Sequence, residues 1–240
     1  MEPAWAIANE IPNIVTGELH LWKARLKGEL AVRDESLAED ERLKMERFHF
    51  AADRLRFGFG RVLLRRLLGG YLQRPPEEIQ FRYTEFGKPY LSFEPGQTKL
   101  EFNISHSGDI ILFAFAQGVP VGVDVERIKP LPELEQIARR FFSPGEQKDL
   151  EMLTGPEKVT AFYRCWTRKE SIIKACGEGL SMPLGKFQVS LLPATPARLL
   201  RSPDQNSWLL LDVVPGQGYA AAVAAQREHV QVHFFSTEGL

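Results

Sequence analysis

Residues 110–126, IILFAFAQGVPVGVDVE, contain two apolar stretches separated by Gln117-Gly118. Both stretches are rich in β-branched and aromatic residues, and the turn residues between them predict a hairpin of strands at 110–116 and 119–125. Similar short patterns predict further strands at 18–23, 79–83, 101–105, 187–191, 208–214, 219–225 and 230–235. The chain is therefore predicted to be rich in strands on both sides of this hairpin.

Helical patterns precede each group of strands. Residues 51–72 and 157–175 repeat apolar side chains at helical spacing. Ser36-Leu-Ala-Glu39 predicts a capping box that starts a helix over 37–48, and Ser143-Pro-Gly-Glu146 predicts a second one. Helices thus come before strands twice along the chain.

This repeated order predicts an α+β fold made of two similar subdomains. We expect residues 1–118 to form an N-terminal half and residues 119–240 a C-terminal half. Each half is expected to hold a small antiparallel sheet with packed helices.

The composition excludes several classes of protein. The 240 residues are 44% hydrophobic and 25% charged, with a net charge of -1, so disordered, collagen-like and coiled-coil chains are excluded. Such a small net charge does not suit a general nucleic-acid or membrane-surface binder. Two cysteines rule out a disulfide framework, and the start carries no signal for secretion. We expect a cytoplasmic protein that binds neither nucleic acid nor membrane.

Two acids stand close together in the second strand of the hairpin. Asp124 and Glu126 are two residues apart, so their side chains point to the same face. Neighbouring carboxylates repel each other unless a cation, hydrogen bonds or a proton intervenes, and Mg²⁺ prefers oxygen ligands. A metal site is one interpretation, and a strand end whose acids face water is the other.

A third acid lies in the helix over 157–175. In the stretch CWTRKESIIK, residues 165–174, the helical spacing places Trp166, Lys169 and Glu170 on one side, with Lys174 one turn further on. Glu170 could supply a metal ligand and Lys174 a phosphate contact. The alternative is an ordinary glutamate–lysine pair on a helix surface.

Two further segments, FGKPY at 86–90 and FNISHS at 102–107, carry potential phosphate ligands. A serine hydrolase is disfavoured, because the Gly-x-Ser-x-Gly elbow is missing and adjacent strand residues point to opposite faces. Ser105, His106 and Lys88 can all donate hydrogen bonds to oxyanions. A hydrogen-bonded turn is the plain alternative.

Basic residues are concentrated between Arg42 and Arg74, where the sequence has nine Lys or Arg residues and only two acidic residues. The usual interpretation of such a stretch is a solvated helical face. The alternative is a surface that attracts a phosphorylated ligand or an acidic protein.

Taken in order, these segments resemble the phosphopantetheinyl transferases of the Sfp type, which activate carrier proteins of fatty-acid, polyketide and nonribosomal peptide biosynthesis. The matching segments run from about residue 41 to residue 192 and are FGKP, FNISHS, PVGVDVE, RFFSPGE and WTRKESIIK. Each motif alone is weak, whereas their joint order and spacing is specific.

The resemblance implies a fold, a reaction and a metal. The implied fold is a pseudo-twofold pair of α+β subdomains with the site between them. The phosphopantetheine arm of coenzyme A passes to a serine of an apo acyl or peptidyl carrier protein, and adenosine 3',5'-bisphosphate leaves. Asp124, Glu126 and Glu170 are implied to gather Mg²⁺, or Mn²⁺ in its place, on the coenzyme pyrophosphate, with Glu126 acting through water. The implied enzyme, a holo-[acyl-carrier-protein] synthase, is expected to be a monomer.

The resemblance also implies the remaining site residues. Glu170 is the leading candidate for the general base, with Glu146 or a metal-bound hydroxide as the alternative. Lys174 is implied to neutralise the phosphate under attack. The implied coenzyme contacts are Lys44, Arg56, Lys88, Ser105, His106 and Lys174. Glu41 and Phe57 depart from the family pattern, since neither side chain can bind a phosphate.

Two other functions compete with this one. A noncatalytic module could grip acidic partners with the basic helix, but it leaves the three acids unexplained. A metal-dependent nucleotide phosphohydrolase would use the acids without any protein acceptor.

Overall fold

The computed structural model describes residues 4–26, 35–94, 98–177, 182–202 and 204–240. Its helices are α1 (Glu39–Glu46), α2 (Ala51–Leu72), α3 (Leu134–Phe141), α4 (Pro144–Glu151) and α5 (Gly155–Cys176). Its strands are β1 (Ala6–Ile7), β2 (Glu18–Arg25), β3 (Arg82–Tyr83), β4 (Pro89–Tyr90), β5 (Leu100–Ser107), β6 (Ile110–Gln117), β7 (Val121–Arg127), β8 (Gln188–Val189), β9 (Leu199–Arg201), β10 (Leu209–Val213), β11 (Tyr219–Ala225) and β12 (Gln231–Ser236). The predicted α+β class is confirmed.

The larger sheet has five strands in the order β1-β12-β2-β6-β5. β2, β6 and β5 are antiparallel neighbours, whereas β12 runs parallel to both β2 and β1. One face packs on α2, where Trp22, Phe113 and Leu64 are completely buried. β12 thus lies in the same sheet as β5 and β6, which are far from it in the sequence.

The smaller sheet, in the order β10-β11-β7, packs against α5. Gly122 in β7 permits a close approach to this helix, because a methyl group there would overlap the Ser171 carbonyl oxygen and the Ala175 nitrogen. The backbone of α5 therefore lies directly on β7, next to the strand position of Asp124.

The two sheets meet along β5 and β7 through side chains. At every second position of β5 a side-chain oxygen accepts a hydrogen bond from a backbone amide of β7: Asn103 from Val123 at 2.9 Å, Ser105 from Val125 at 3.3 Å, and Ser107 from Arg127 at 3.0 Å. This polar seam fixes the register of β5 against β7, since residues of period two share one face.

One of the two predicted capping boxes is confirmed. At α4, Ser143 Oγ accepts from the Glu146 amide at 3.4 Å and Glu146 Oε2 accepts from the Ser143 amide at 2.7 Å. The box at Ser36 is wrong, because α1 starts later and the Ala38 amide donates to Glu41 Oε2 at 2.9 Å.

The basic stretch is only partly a solvated face. Arg61 and Arg65 are buried in α2, with relative exposures of 8% and 2%. Both pair with buried Glu41, Arg65 at 2.7 Å and Arg61 at 3.3 Å. The expectation of a solvated surface is wrong for these two arginines, because an acid 20 or more positions earlier in the chain neutralises them.

Neither cysteine takes part in a disulfide, and Cys165 is buried. Within the described ranges, none of the helices combines the length and apolar character needed to cross a membrane.

Candidate active site

A cavity of about 440 Å³ lies where β5, β7 and α5 meet. Ile104 and Trp166 supply its apolar wall. The cavity brings together six of the predicted site residues: Ser105, His106, Asp124, Glu126, Glu170 and Lys174. They come from two strands and a helix that are distant in sequence, so the fold assembles them.

Asp124 and Lys174 form the centre of the cavity. Asp124 is 4% exposed, and its Oδ1 accepts from Lys174 Nζ at 2.6 Å and from Ser105 Oγ at 2.9 Å. Its Oδ2 is buried and has no hydrogen-bond partner among the described residues. A buried carboxylate oxygen without a partner is costly, so this atom is prepared for an external ligand.

Ser105 is held by three hydrogen bonds inside the protein. Its hydroxyl donates to Asp124 and accepts from Lys174 Nζ at 3.1 Å and from the Val125 amide. These contacts use the full donor and acceptor capacity of a hydroxyl. Ser105 therefore positions Asp124 and Lys174 in this structure.

The negative charges of the other two acids, Glu126 and Glu170, are only partly offset by neighbouring groups. Ser107 Oγ donates to Glu126 Oε2 at 2.8 Å. Burial raises the pKa of Glu126, and the Asp124 charge adds to that rise. Burial also raises the pKa of Glu170; Lys174 opposes this effect, while Asp124 and Glu126 support it.

Three carboxylates thus share one lysine within the cavity. Oxygen-only ligands of this charge fit a hard divalent cation such as Mg²⁺, which commonly retains waters and substrate phosphates. The unsatisfied Oδ2 of Asp124 agrees with such a fit. Asp124, Glu126 and Glu170 are the residues that could hold the ion.

Helix α5 directs its charged side chains to two different sides. Trp166, Glu170 and Lys174 line the cavity, as their spacing of four residues predicts. Lys169 lies elsewhere, with Nζ donating to the carbonyls of Leu184 at 2.9 Å and Phe187 at 2.8 Å. The expectation that Lys169 shares the side of Trp166 and Glu170 is therefore wrong.

Glu146 is the partner of Lys169 and is not brought to the cavity. Its Oε1 lies 2.8 Å from Lys169 Nζ and accepts from the Val189 amide at 2.8 Å, while Oε2 caps α4 through Ser143. Glu146 and Lys169 are both completely buried. The structure thus gives Glu146 a role in joining α4, α5 and β8 and leaves its carboxylate without access to a substrate.

His106 lies beside the acids, and Arg56 lies near His106. His106 is at the cavity rim, where desolvation lowers its pKa and the nearby Arg56 charge lowers it further. Arg56 itself contacts Asp53 at 2.6 Å and the Gly108 carbonyl at 3.3 Å. The imidazole is therefore a neutral hydrogen-bonding group at neutral pH.

The remaining two predicted phosphate ligands are further from the acids. Lys88 donates to the carbonyl of Lys174 at 2.6 Å, so it caps the last turn of α5, and desolvation lowers its pKa. Lys44 Nζ lies 5.3 Å from the centroid of the Phe57 ring. Neither residue lines the 440 Å³ cavity, although Lys88 lines a neighbouring pocket of about 240 Å³ with Lys174.

The structural use of Asn103 and Ser107 was not predicted from the sequence. Their hydrogen bonds to β7 hold Asp124 and Glu126 in register with β5. The available signal was the polar residue at every second position of an otherwise apolar strand, 103, 105 and 107.

Two family descriptions match the chain. One, "4'-phosphopantetheinyl transferase superfamily", matches residues 120–224. The other, "4'-phosphopantetheinyl transferase, N-terminal", matches residues 21–117. Together they include every residue that lines the cavity.

Individual proteins agree with these matches. The 4'-phosphopantetheinyl transferase HetI of Nostoc sp. is 38% identical over 89% of this chain and 90% of its own length. The 4'-phosphopantetheinyl transferase Sfp of Bacillus subtilis is 40% identical over 65% of this chain and 66% of its own. Among solved structures, a holo-[acyl-carrier-protein] synthase of Thermotoga maritima matches 46% of this chain and 64% of that chain, at 19% identity and a TM-score of 0.37.

The sequence relatives carry the assignment, because the match to HetI spans nearly the whole of both chains. The predicted family and enzyme class are confirmed. The chain belongs to the 4'-phosphopantetheinyl transferase superfamily.

Proposed function

We propose that this enzyme transfers the phosphopantetheine arm of coenzyme A to a serine hydroxyl of an apo acyl or peptidyl carrier protein. Adenosine 3',5'-bisphosphate is the second product. The observation that supports this most strongly is the cavity in which Asp124, with one unsatisfied buried oxygen, lies beside Glu126, Glu170 and Lys174.

The reaction is a phosphoryl transfer in which the protein positions groups and stabilises charge. The serine oxygen forms a bond to the phosphorus that bears the pantetheine arm, and the bond from that phosphorus to the bridging pyrophosphate oxygen breaks. Lys174, fixed by Asp124 and Ser105, neutralises charge on the phosphate under attack.

Mg²⁺, or Mn²⁺, would supply positive charge against the pyrophosphate oxygens when it is bound. Asp124, Glu126 and Glu170 would hold it, Glu126 through a water molecule. The rigid seam between β5 and β7 keeps the first two acids at a fixed spacing.

Glu170 is the proposed general base. In the metal-free chain the pKa of Glu170 is raised, first by burial, which favours proton acceptance by this carboxylate. The serine proton passes to Glu170 as the new oxygen–phosphorus bond forms. Glu146 is left out of this role, because both of its oxygens are used inside the core.

The coenzyme phosphates are proposed to contact His106 at the rim and the cations around it. His106 offers a ring N–H close to the acids. Arg56 and Lys44, on the basic helices, and Lys88 would bind the more distant phosphates. The residues that share this proposed role are Lys44, Arg56, Lys88, His106 and Lys174, and Ser105 supports it by holding Lys174 in place through its hydroxyl.

We further propose that residues 1–118 and 119–240 act as two halves with the site between them. β5 of the first half supplies Ser105 and His106, while β7 and α5 of the second supply the acids and Lys174. The apolar surface around Phe141 and Trp166, whose rings meet edge to face, would receive the carrier protein. The enzyme is proposed to act as a cytoplasmic monomer.

The direct test is the intact mass of an apo acyl carrier protein after mixing with the enzyme, coenzyme A and Mg²⁺. We expect a gain of one phosphopantetheine group per carrier, which requires Mg²⁺ and is lost with Asp124→Ala. Glu151→Gln, a change of an exposed acid outside the cavity, should leave the gain intact. Release of phosphopantetheine without any carrier would instead identify a phosphohydrolase, and no product at all would favour a binding module.

A further inference from the structure

Three side chains with metal-binding atoms meet on the larger sheet, away from the cavity. Glu18 and His20 belong to β2, and His233 lies directly opposite His20 in the parallel pairing of β2 with β12. One ligand atom from each lies within 4.8 Å of the others. Residues of this face contact α2, whereas Ser105 and the polar seam lie on the other face of the sheet.

The separations suit a small tetrahedral ion. Glu18 Oε2 lies 3.5 Å from His20 Nε2, and Glu18 Oε1 lies 3.7 Å from His233 Nε2. Zinc–ligand bonds of about 2.0–2.2 Å in tetrahedral geometry place neighbouring ligand atoms about 3.3–3.6 Å apart. The two separations involve different oxygens of Glu18, and one ligand atom from each of the three residues lies within 4.8 Å of the others, so binding an ion requires the side chains to move closer together.

The same separations are too long for good hydrogen bonds. His233 Nε2 is buried and has no hydrogen-bond partner among the described residues. His20 is 2% exposed, and burial lowers its pKa to about 4, so its ring is in the neutral form that metals bind. The cluster thus holds nitrogen atoms that the protein itself leaves poorly satisfied.

Neighbouring groups already orient two of the ligands. Tyr71 Oη lies 2.8 Å from His20 Nδ1 and accepts from Trp22 Nε1 at 2.7 Å, which directs His20 Nε2 towards Glu18. The Val15 amide donates to Glu18 Oε2 at 3.0 Å. Hydrogen bonds of this kind, to the far side of metal-binding histidines and carboxylates, are the usual support of metal sites.

We propose that Glu18, His20 and His233 bind one Zn²⁺ ion, which fastens β12 to β2. Two imidazoles favour zinc over Mg²⁺, which prefers oxygen ligands. Water completes the coordination from the side where Glu18 and His233 are partly exposed. The site is separate from the three acids of the cavity and has a structural role.

The test is a zinc competition titration against a chromophoric chelator. It uses the full chain without a histidine tag, stripped with a chelator and kept in millimolar Mg²⁺ to occupy the cavity acids. We expect one Zn²⁺ per chain, unchanged in Asp124→Ala, and at least about tenfold weaker in Glu18→Gln and in His233→Gln. His229→Gln, a change of an exposed histidine outside the cluster, serves as the matched control.

Thermal unfolding supplies a second measurement, because an ion that binds only the folded chain raises its Tm. Zn²⁺ should raise the Tm of the unaltered chain and of Asp124→Ala, and it should not raise that of His233→Gln. No zinc binding by the unaltered chain would overturn the proposal. So would binding that survives Glu18→Gln and His233→Gln but disappears in Asp124→Ala.

Discussion

Two acid–lysine clusters lie on different sides of helix α5, and they differ in how completely they are satisfied. Around Lys169, the single carboxylate of Glu146 accepts from the lysine and from two backbone amides. Around Lys174, three carboxylates share one lysine, and Asp124 Oδ2 has no hydrogen-bond partner among the described residues. In the first cluster, which we call closed, both carboxylate oxygens have partners inside the protein. In the second, which we call open, one buried carboxylate oxygen has no partner among the described residues.

This contrast shows how similar residue types separate into structural and functional sets. The sequence Lys169-Glu170 contributes one residue to each cluster, because adjacent helix positions point in different directions. The fully paired carboxylate of Glu146 stabilises the fold, whereas the unpaired oxygen of Asp124 in the cavity is available to a ligand.

The largest expected effect comes from the open cluster. Glu170→Gln removes the proposed base and one metal ligand, so we expect the transfer rate to fall by about 10²–10⁴-fold. The fold should persist, which circular dichroism checks alongside the rate of carrier modification. Normal turnover of this variant would show that the open cluster is not catalytic.

Substitutions in the closed cluster of Lys169 and Glu146 should lower the free energy of unfolding. Lys169→Met leaves Glu146 as a buried charge without its cation, and breaking such a pair costs about 3–5 kcal/mol of unfolding free energy. Urea unfolding measures this loss. The double variant Lys169→Met with Glu146→Gln should recover part of it, because the neutral amide no longer needs a cation. Equal stability of the single and double variants would contradict the assignment.

A smaller effect on the enzyme is expected from a substitution at the rim of the cavity, where His106 lies. His106→Ala removes one hydrogen bond to a coenzyme phosphate, so KM for coenzyme A should rise roughly tenfold or more while kcat changes little. Steady-state kinetics with saturating carrier protein measure both constants. His49→Ala, a change of an exposed histidine, should leave both unchanged.

The smallest effect concerns the pH dependence of stability. The pKa of Glu170 is raised above 4.5 in the folded chain, mainly by burial, so the folded state binds this proton more tightly than the unfolded state. Stability is therefore lost as the pH rises from about 4.5 through the folded pKa. Glu170→Gln should raise the Tm of the metal-free protein at pH 7, and the gain should vanish below about pH 4.5. A gain that is independent of pH would contradict this origin.

Local patterns predicted much of the fold. The bounds of α2, at 51–72, and of β11, at 219–225, follow from helical and strand periodicity and agree with the structure. Period two also predicted correctly that Asp124 and Glu126 share a face. These features depend only on neighbouring residues, which the sequence displays directly.

Pairings between distant residues were harder to predict. Glu41 neutralises Arg65 across 24 positions, so a stretch that looks like a charged surface is partly core. Lys169 lies beside Glu146 because α4 packs on α5, which no spacing within α5 reveals. A charged residue is structural or functional according to its partner in the fold, and a partner that is distant in the sequence cannot be identified from local spacing.

The parallel pairing of β12 with β2 has a consequence for how the chain folds during synthesis. About 200 residues separate the two strands, so β2 is made long before its second neighbour exists. Until β12 arrives, the free edge of β2 exposes unpaired backbone groups that can capture another chain. Such distant pairing also slows folding. A fragment cut at residue 118 would keep that edge open, so we expect it to aggregate even though a family match spans most of it.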